Sequence, residues 1–213
     1  MKTLAIVLVA ACGPIYPAPN QTQASAPEPV ASSGPPGGEM DPYRPAPPAP
    51  PPANPSAPRP APAPTSNLPP AAQTIVTEHN RYRAKHCAGP LSWSSQLAAD
   101  AQKWAETLKA KGCMFGHSGS KHGENLAAGT TGAMPPAEVV RMWYDEVKIY
   151  DFQKPTGFSM ETGHFTQVVW TDTTQVGCGM SQCNGMDIWV CQYETPGNWA
   201  GQYREKVLPT SCK

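Results

Sequence analysis

The chain has 213 residues, and 16 Lys and Arg are matched by 16 Asp and Glu, so its formal charge is zero. No basic run is present to follow a phosphate backbone, which speaks against nucleic acid as a partner. Proline is uneven: 21 of the 27 lie between Pro14 and Pro70, in a stretch rich in Ala and Ser. Such a segment carries too little apolar surface to offset its ordering entropy and is predicted to be a disordered, partly polyproline linker over residues 13–71.

In chain order, residues 1–12 come first: one cation, a short apolar run and small residues before Cys12, the pattern of an export signal. Val9-Ala10-Ala11-Cys12 also has the form of a bacterial lipobox, in which the cysteine becomes an acylated N-terminus; the alternative is an ordinary signal peptide cut nearby. Lipidation would make the protein a cell-surface or outer-membrane lipoprotein held to the membrane by its anchor, and the alternative would make it secreted. Seven cysteines leave one unpaired, and Cys12 is the one outside the globular part. The other six allow fifteen pairings on sequence alone.

The globular part, residues 72–213, is long enough to bury a core. No stretch in it approaches a membrane-spanning length, so it is expected to be soluble. Thr74 to Lys85 lacks Gly and Pro and reads as a first helix, ended by Ala88-Gly89-Pro90. Leu97, Ala98, Ala101, Trp104, Ala105 and Leu108 then form an apolar stripe at helical spacing, with Ser as N-cap and Gly112 as stop. A third helix starts at Pro135-Pro136 and runs through Val139, Val140, Trp143, Tyr144 and Val147. Phe165 to Trp170, Val176 to Ser181 and Met186 to Tyr193 read as strands, the last two joined at Asn184-Gly185 by a tight turn. Helices first and neighbouring strands later, without βαβ alternation, predict an α+β fold with a mostly antiparallel sheet.

Four separated stretches resemble the signature motifs of the CAP superfamily: His79-Asn80-Arg81-Tyr82-Arg83, Gly123-Glu124-Asn125-Leu126-Ala127, Gly163 to Trp170, and Val190 to Asn198. The superfamily holds cysteine-rich secretory proteins, venom allergens and plant pathogenesis-related proteins. Thr195 departs from the usual Pro-Pro-Gly-Asn. The resemblance implies a disulfide-stapled α/β/α sandwich, with bridges Cys113–Cys183 and Cys178–Cys191, leaving Cys87–Cys212. It further implies that His117, His164, Glu124 and Glu146 converge in a cleft as a divalent-cation site, with zinc the expected ion. A buried His–Glu network that only orients loops is the bland alternative.

Catalysis would need a metal-activated water and a substrate pocket. The domain carries no His-Glu-x-x-His helix, no Gly-x-Ser-x-Gly elbow and no P-loop, and no catalytic residue is assigned. The expectation is a monomeric, non-enzymatic binding module; a metal-dependent hydrolase or peptidase, and a protein-interaction domain, are the competing classes. Tyr150, Phe152 and Phe158, in a Pro- and Gly-containing loop, suggest an apolar surface for a sterol or fatty acid, or else rings that pin the loop to the core. His79 with Asn80 is expected to fix the first helix to the sheet. His86 and His122 are expected at the solvated surface, and of the six tryptophans Trp199 is the one expected to be partly exposed.

Overall fold

The computed structural model describes residues 8–11, 67–155 and 158–212; Cys12 and the Pro-rich stretch up to residue 66 lie outside the described residues. Proline opens two helices, α1 (Pro70–Lys85) and α3 (Pro136–Asp145). It is accepted there because an N–H in the first turn has no intrahelical acceptor. Helix α2 (Ser95–Ala110) begins where the Ser94 side chain accepts from the Leu97 amide, and it buries Leu97, Ala101, Ala105 and Leu108 along one side. A 3-10 turn, Glu146–Lys148, follows α3, and α5 is a single turn, Tyr203–Lys206.

The strands are β1 (Leu8–Ala11), β2 (Ser92–Trp93), β3 (Gly123–Thr130), β4 (Gln175–Cys183) and β5 (Met186–Glu194), in the order β1-β3-β5-β4-β2. All neighbours are antiparallel except β2, which runs parallel to β4. Leu8–Ala11, the described part of the apolar segment expected in an export signal, forms β1, with Leu8 opposite Ala128 and Ala11 opposite Asn125. Asn184 and Gly185 join β4 to β5 with φ of 49° and 76°, the left-handed pair a two-residue hairpin loop requires.

Strand alternation sorts the sheet into two faces. Leu126, Ala128, Ile188 and Val190 pack on Ala101, Ala105 and Leu108 of α2. Ala127, Trp189, Cys191 and Tyr193 lie under α1, α3 and a further helix, α4 (Gly163–Val169), on the other side. The result is the helix–sheet–helix sandwich that was expected. Two glycines set the α2 spacing: a Cβ on Gly177 would lie 2.2 Å from the Ala98 nitrogen, and one on Gly179 would lie 2.3 Å from the Gln102 Cα. Helix backbone therefore rests directly on β4.

One element differs in kind from expectation. Phe165 to Trp170, predicted as a strand, belongs to helix α4 (Gly163–Val169), all seven of whose residues are buried. Phe165, Thr166, Val168 and Val169 are aromatic or β-branched residues that favour strands, and the polar residues His164, Thr166 and Gln167 are buried with them, so no solvent-facing stripe marks the helix. All three implied disulfides are present: Cys87–Cys212, Cys113–Cys183 and Cys178–Cys191. The first two span separations of 125 and 70 residues. In the chain-entropy account, each contributes about 4–5 kcal/mol. No helix among the described residues is long and apolar enough to cross a membrane.

Candidate functional site

Two His–Glu pairs are formed, one at the start of β3 and one between the 3-10 turn and α4. In the first, the His117 Nδ1–H donates to Glu124 Oε1 at 2.9 Å, and the Ser118 amide reaches the same oxygen at 2.9 Å. Gln192, opposite Glu124 on β5, donates its Nε2 to Oε2 at 3.0 Å. Burial alone would raise the Glu124 carboxyl, but the hydrogen bonds from His117, Gln192 and Ser118 outweigh it and hold the group below its ordinary range. Glu124 is therefore an anion held by three donors. The Gln192 Oε1 is buried and has no hydrogen-bond partner.

In the second pair the His164 Nδ1–H donates to Glu146 Oε1 at 2.6 Å. The other oxygen accepts from the His164 and Phe165 backbone amides, both at 3.0 Å. Glu146 leaves α3 at the 3-10 turn and closes over the first turn of α4, where amides lack intrahelical acceptors and a negative charge is favoured. The same carboxylate thus fixes both the His164 ring and the helix that carries it.

A buried relay ties this corner together. The His79 Nδ1–H donates to the Ile75 carbonyl at 2.8 Å, so its Nε2 accepts from the Tyr193 hydroxyl at 3.0 Å. Asn125 Nδ2 donates to Tyr193 at 3.2 Å and to the His164 carbonyl at 3.2 Å. Helix α1, strands β3 and β5, and α4 are joined by these contacts. Desolvation depresses His79 to about 4 and pushes the Tyr193 hydroxyl well above its usual value. Asn80 bonds both polar groups of Leu91, with Nδ2 to the carbonyl and Oδ1 from the amide. The expected structural role of His79 and Asn80 is what the structure shows.

Arg83 is fully buried and donates to the Gly89, Val168, Trp170 and Thr173 carbonyls, so it clamps the C-terminal end of α4. Arg83 stands in the first motif, but its role as a clamp was not legible, because its acceptors are backbone atoms up to 90 residues away.

Two histidines differ from expectation. His86 is fully buried, donating Nδ1–H to the Leu208 carbonyl at 2.6 Å and accepting from the Tyr144 hydroxyl at 3.1 Å. His122 meets Glu194 at 2.8 Å, at the rim beside the first pair. Their partners lie 122 and 72 residues away in sequence, which hid them.

The four residues implied as one cation site therefore form two pairs, and among the described residues no group of three or more His, Cys, Asp or Glu is disposed to hold a metal. In each pair a carboxylate holds Nδ1, the contact that carboxylates make behind zinc-ligating histidines. The donor set fits zinc in part: two imidazoles supply two of four tetrahedral ligands, and both carboxylates are already bonded to their own neighbours.

Tyr150, Phe152 and Phe158 are each half-buried and pack on the main core. Phe152 stacks on His86 with ring centroids 6.0 Å apart, and Tyr150 lies 5.3 Å from Phe165. The Tyr150 hydroxyl is buried without a partner, and burial raises it to about 12. Of the three large apolar side chains exposed among the described residues, Met114, Ile149 and Met160, the last two bracket this stretch in sequence. Trp199 is partly exposed, as expected, but so are Trp93 and Trp104.

A disulfide-stapled sandwich with paired His–Glu contacts at one end of its sheet is the class of domain described here. Residues 76–193 match the sequence profile of the CAP, or cysteine-rich secretory protein, family, and the chain belongs to it. It is 44% identical over 141 residues to Protein PRY2 of Saccharomyces cerevisiae, an alignment covering 64% of this chain and 40% of PRY2. The chain thus spans less than half the length of that relative. Pathogenesis-related protein 1A of Nicotiana tabacum is 42% identical, over 61% of this chain and 78% of its own length. Among solved structures, that of NaASP2 with Zn2+ superposes with a TM-score of 0.52 at 25% identity, covering 70% of this chain and 92% of that one.

Proposed function

We propose that this domain is an exported binding module that takes a divalent cation, zinc in the first instance, through His117 and His164. The supporting observation is that each ring is held at Nδ1 by a carboxylate of its own, which fixes the neutral tautomer that binds metal at Nε2. NaASP2, similar in fold, is described with Zn2+. With only two imidazole donors the remaining coordination falls to water or to a bound partner, so affinity is modest. Both carboxylates already accept from their own loops and helix ends, which favours binding over hydrolysis, where one would have to act as a base. Export rests on the pattern of residues 1–12 and on membership in a family named for secretory proteins. A lipid anchor at Cys12 remains part of this proposal.

The second half of the proposal is an apolar ligand, a sterol or fatty acid, at Tyr150, Phe152 and Phe158. What favours it is the unpartnered Tyr150 hydroxyl among these rings, with Ile149 and Met160 exposed on either side of the stretch in sequence. Titration calorimetry with zinc decides the first half: the wild-type chain is expected to bind. Unchanged binding in the His117→Ala, His164→Ala double variant would remove these histidines as the site.

A further inference from the structure

The three bridges are not equally protected. Cys178 and Cys191 are buried between β4 and β5, and Cys113 and Cys183 are partly covered against the α2 face. Cys87 is the exposed half-cystine, bonded to the partly exposed Cys212. Beyond buried Val207, residues 209–211 are exposed. Their hold on the domain rests on this bridge, on the Leu208 carbonyl accepting from His86, and on the local Cys212 amide to Pro209 carbonyl contact.

His86 is the next residue in chain to Cys87, and it is central to an aromatic cluster. Its ring stacks on Phe152, meets Tyr144 and Phe165 edge-on at 5.7 and 5.4 Å, and accepts from the Tyr144 hydroxyl. Phe152 in turn packs on Tyr150 at 4.8 Å. A continuous run of contacts therefore leads from the solvent-facing bridge, through the Leu208–His86 hydrogen bond, to the Tyr150–Phe152 segment.

We propose that Cys87–Cys212 is a reducible latch: it holds the C-terminal segment over His86, and its opening frees that segment and loosens Tyr150 and Phe152. The chemistry is thiol–disulfide exchange with a dithiol. A dithiol thiolate attacks one sulfur of the bridge, the S–S bond breaks, and the other cysteine leaves as a thiolate that takes up a proton. The second dithiol sulfur then attacks the mixed disulfide and expels the remaining cysteine. Two electrons pass to the bridge, the dithiol becomes a cyclic disulfide, and Cys87 and Cys212 end as thiols. Attack needs access, which favours the exposed bridge over the buried one.

With the covalent tie gone, the Leu208 carbonyl contact is a single hydrogen bond at the chain end, where fraying is the rule. Its loss leaves the His86 Nδ1–H facing water and opens the floor on which Phe152 stacks. The inference is independent of the cation and ligand proposals, since it concerns only which bridge opens and what moves.

The test is a dithiothreitol titration of the full chain at neutral pH, with alkylation, peptide mass mapping and amide hydrogen exchange on the same samples. The expected first product gains two alkyl groups relative to the oxidised chain, on Cys87 and Cys212. In it the amides of Cys212 and Tyr150, bonded to the Pro209 and Val147 carbonyls, lose protection. Those of β4 and β5 keep theirs. A Cys87→Ser, Cys212→Ser chain should show the same exchange pattern without reductant; if it does not fold, the wild-type titration still decides. Alkylation of Cys113 and Cys183 at or before that stage overturns the latch. So does a doubly alkylated product in which Tyr150 exchanges as in the oxidised chain.

Discussion

Acid should weaken this fold before any carboxylate reaches its ordinary range, and His79 is the reason. The ring is fully buried and held between the Ile75 carbonyl and the Tyr193 hydroxyl, contacts that suit the neutral form. Its pKa of about 4 lies below the unfolded value of 6.5, so between the two the unfolded chain binds the extra proton and stability rises with pH. The contribution is complete above pH 6.5 and is lost as pH falls toward 4, where the difference amounts to about 3 kcal/mol. His86, also depressed by burial, adds in the same direction. Glu124, held below its ordinary range, keeps its contribution through this interval and loses it only at lower pH, as its carboxylate protonates. Urea unfolding of the oxidised domain from pH 7.5 to 4 measures this. A His79→Gln variant starts less stable, because it loses the ring's contacts with Trp143 and Tyr193, but its stability should fall less steeply over the interval. Parallel curves for the two proteins would refute the assignment of acid sensitivity to His79.

Other outcomes follow from packing. Tyr193→Phe removes the hydroxyl between His79 and Asn125; the loss should be about 1–3 kcal/mol in the same unfolding assay. Gly179→Ala puts a Cβ 2.3 Å from backbone of α2 that no rotamer change can move. It should lose about 3 kcal/mol or fail to accumulate, as judged by soluble yield and melting temperature. Arg83→Met leaves four carbonyls without their donor at the end of α4; a loss of about 3 kcal/mol or more is expected, with amide exchange rising first in residues 163–170.

Where the sequence spoke clearly, it did so through local chemistry. The α2 stripe with its Ser94 cap and the Asn184-Gly185 turn are each complete within a few residues, and both stand where expected. Strand β3 gave no such signal, since Gly-Glu-Asn-Leu-Ala-Ala-Gly-Thr has neither alternation nor β-branched residues before its last position. It is buried on both faces and paired along its length, so neighbours rather than propensity make it a strand. Helix α4 failed for the related reason that its aromatic and β-branched residues favour a strand locally, while its polar residues His164, Thr166 and Gln167 are buried and mark no solvent face. At the site, motif positions located His117, Glu124, Glu146 and His164. Their grouping into two pairs, with Gln192 bracing one and the α4 amides the other, depends on contacts made across the sheet.

The proposal that His117 and His164 together take a cation is tested most directly by X-ray absorption at the zinc edge on the zinc-loaded chain. The account predicts two imidazole nitrogens at about 2.0–2.1 Å, the remaining ligands being oxygen, and loss of the imidazole signal in the His117→Ala, His164→Ala variant. A first shell without imidazole, or one unchanged in that variant, would contradict it.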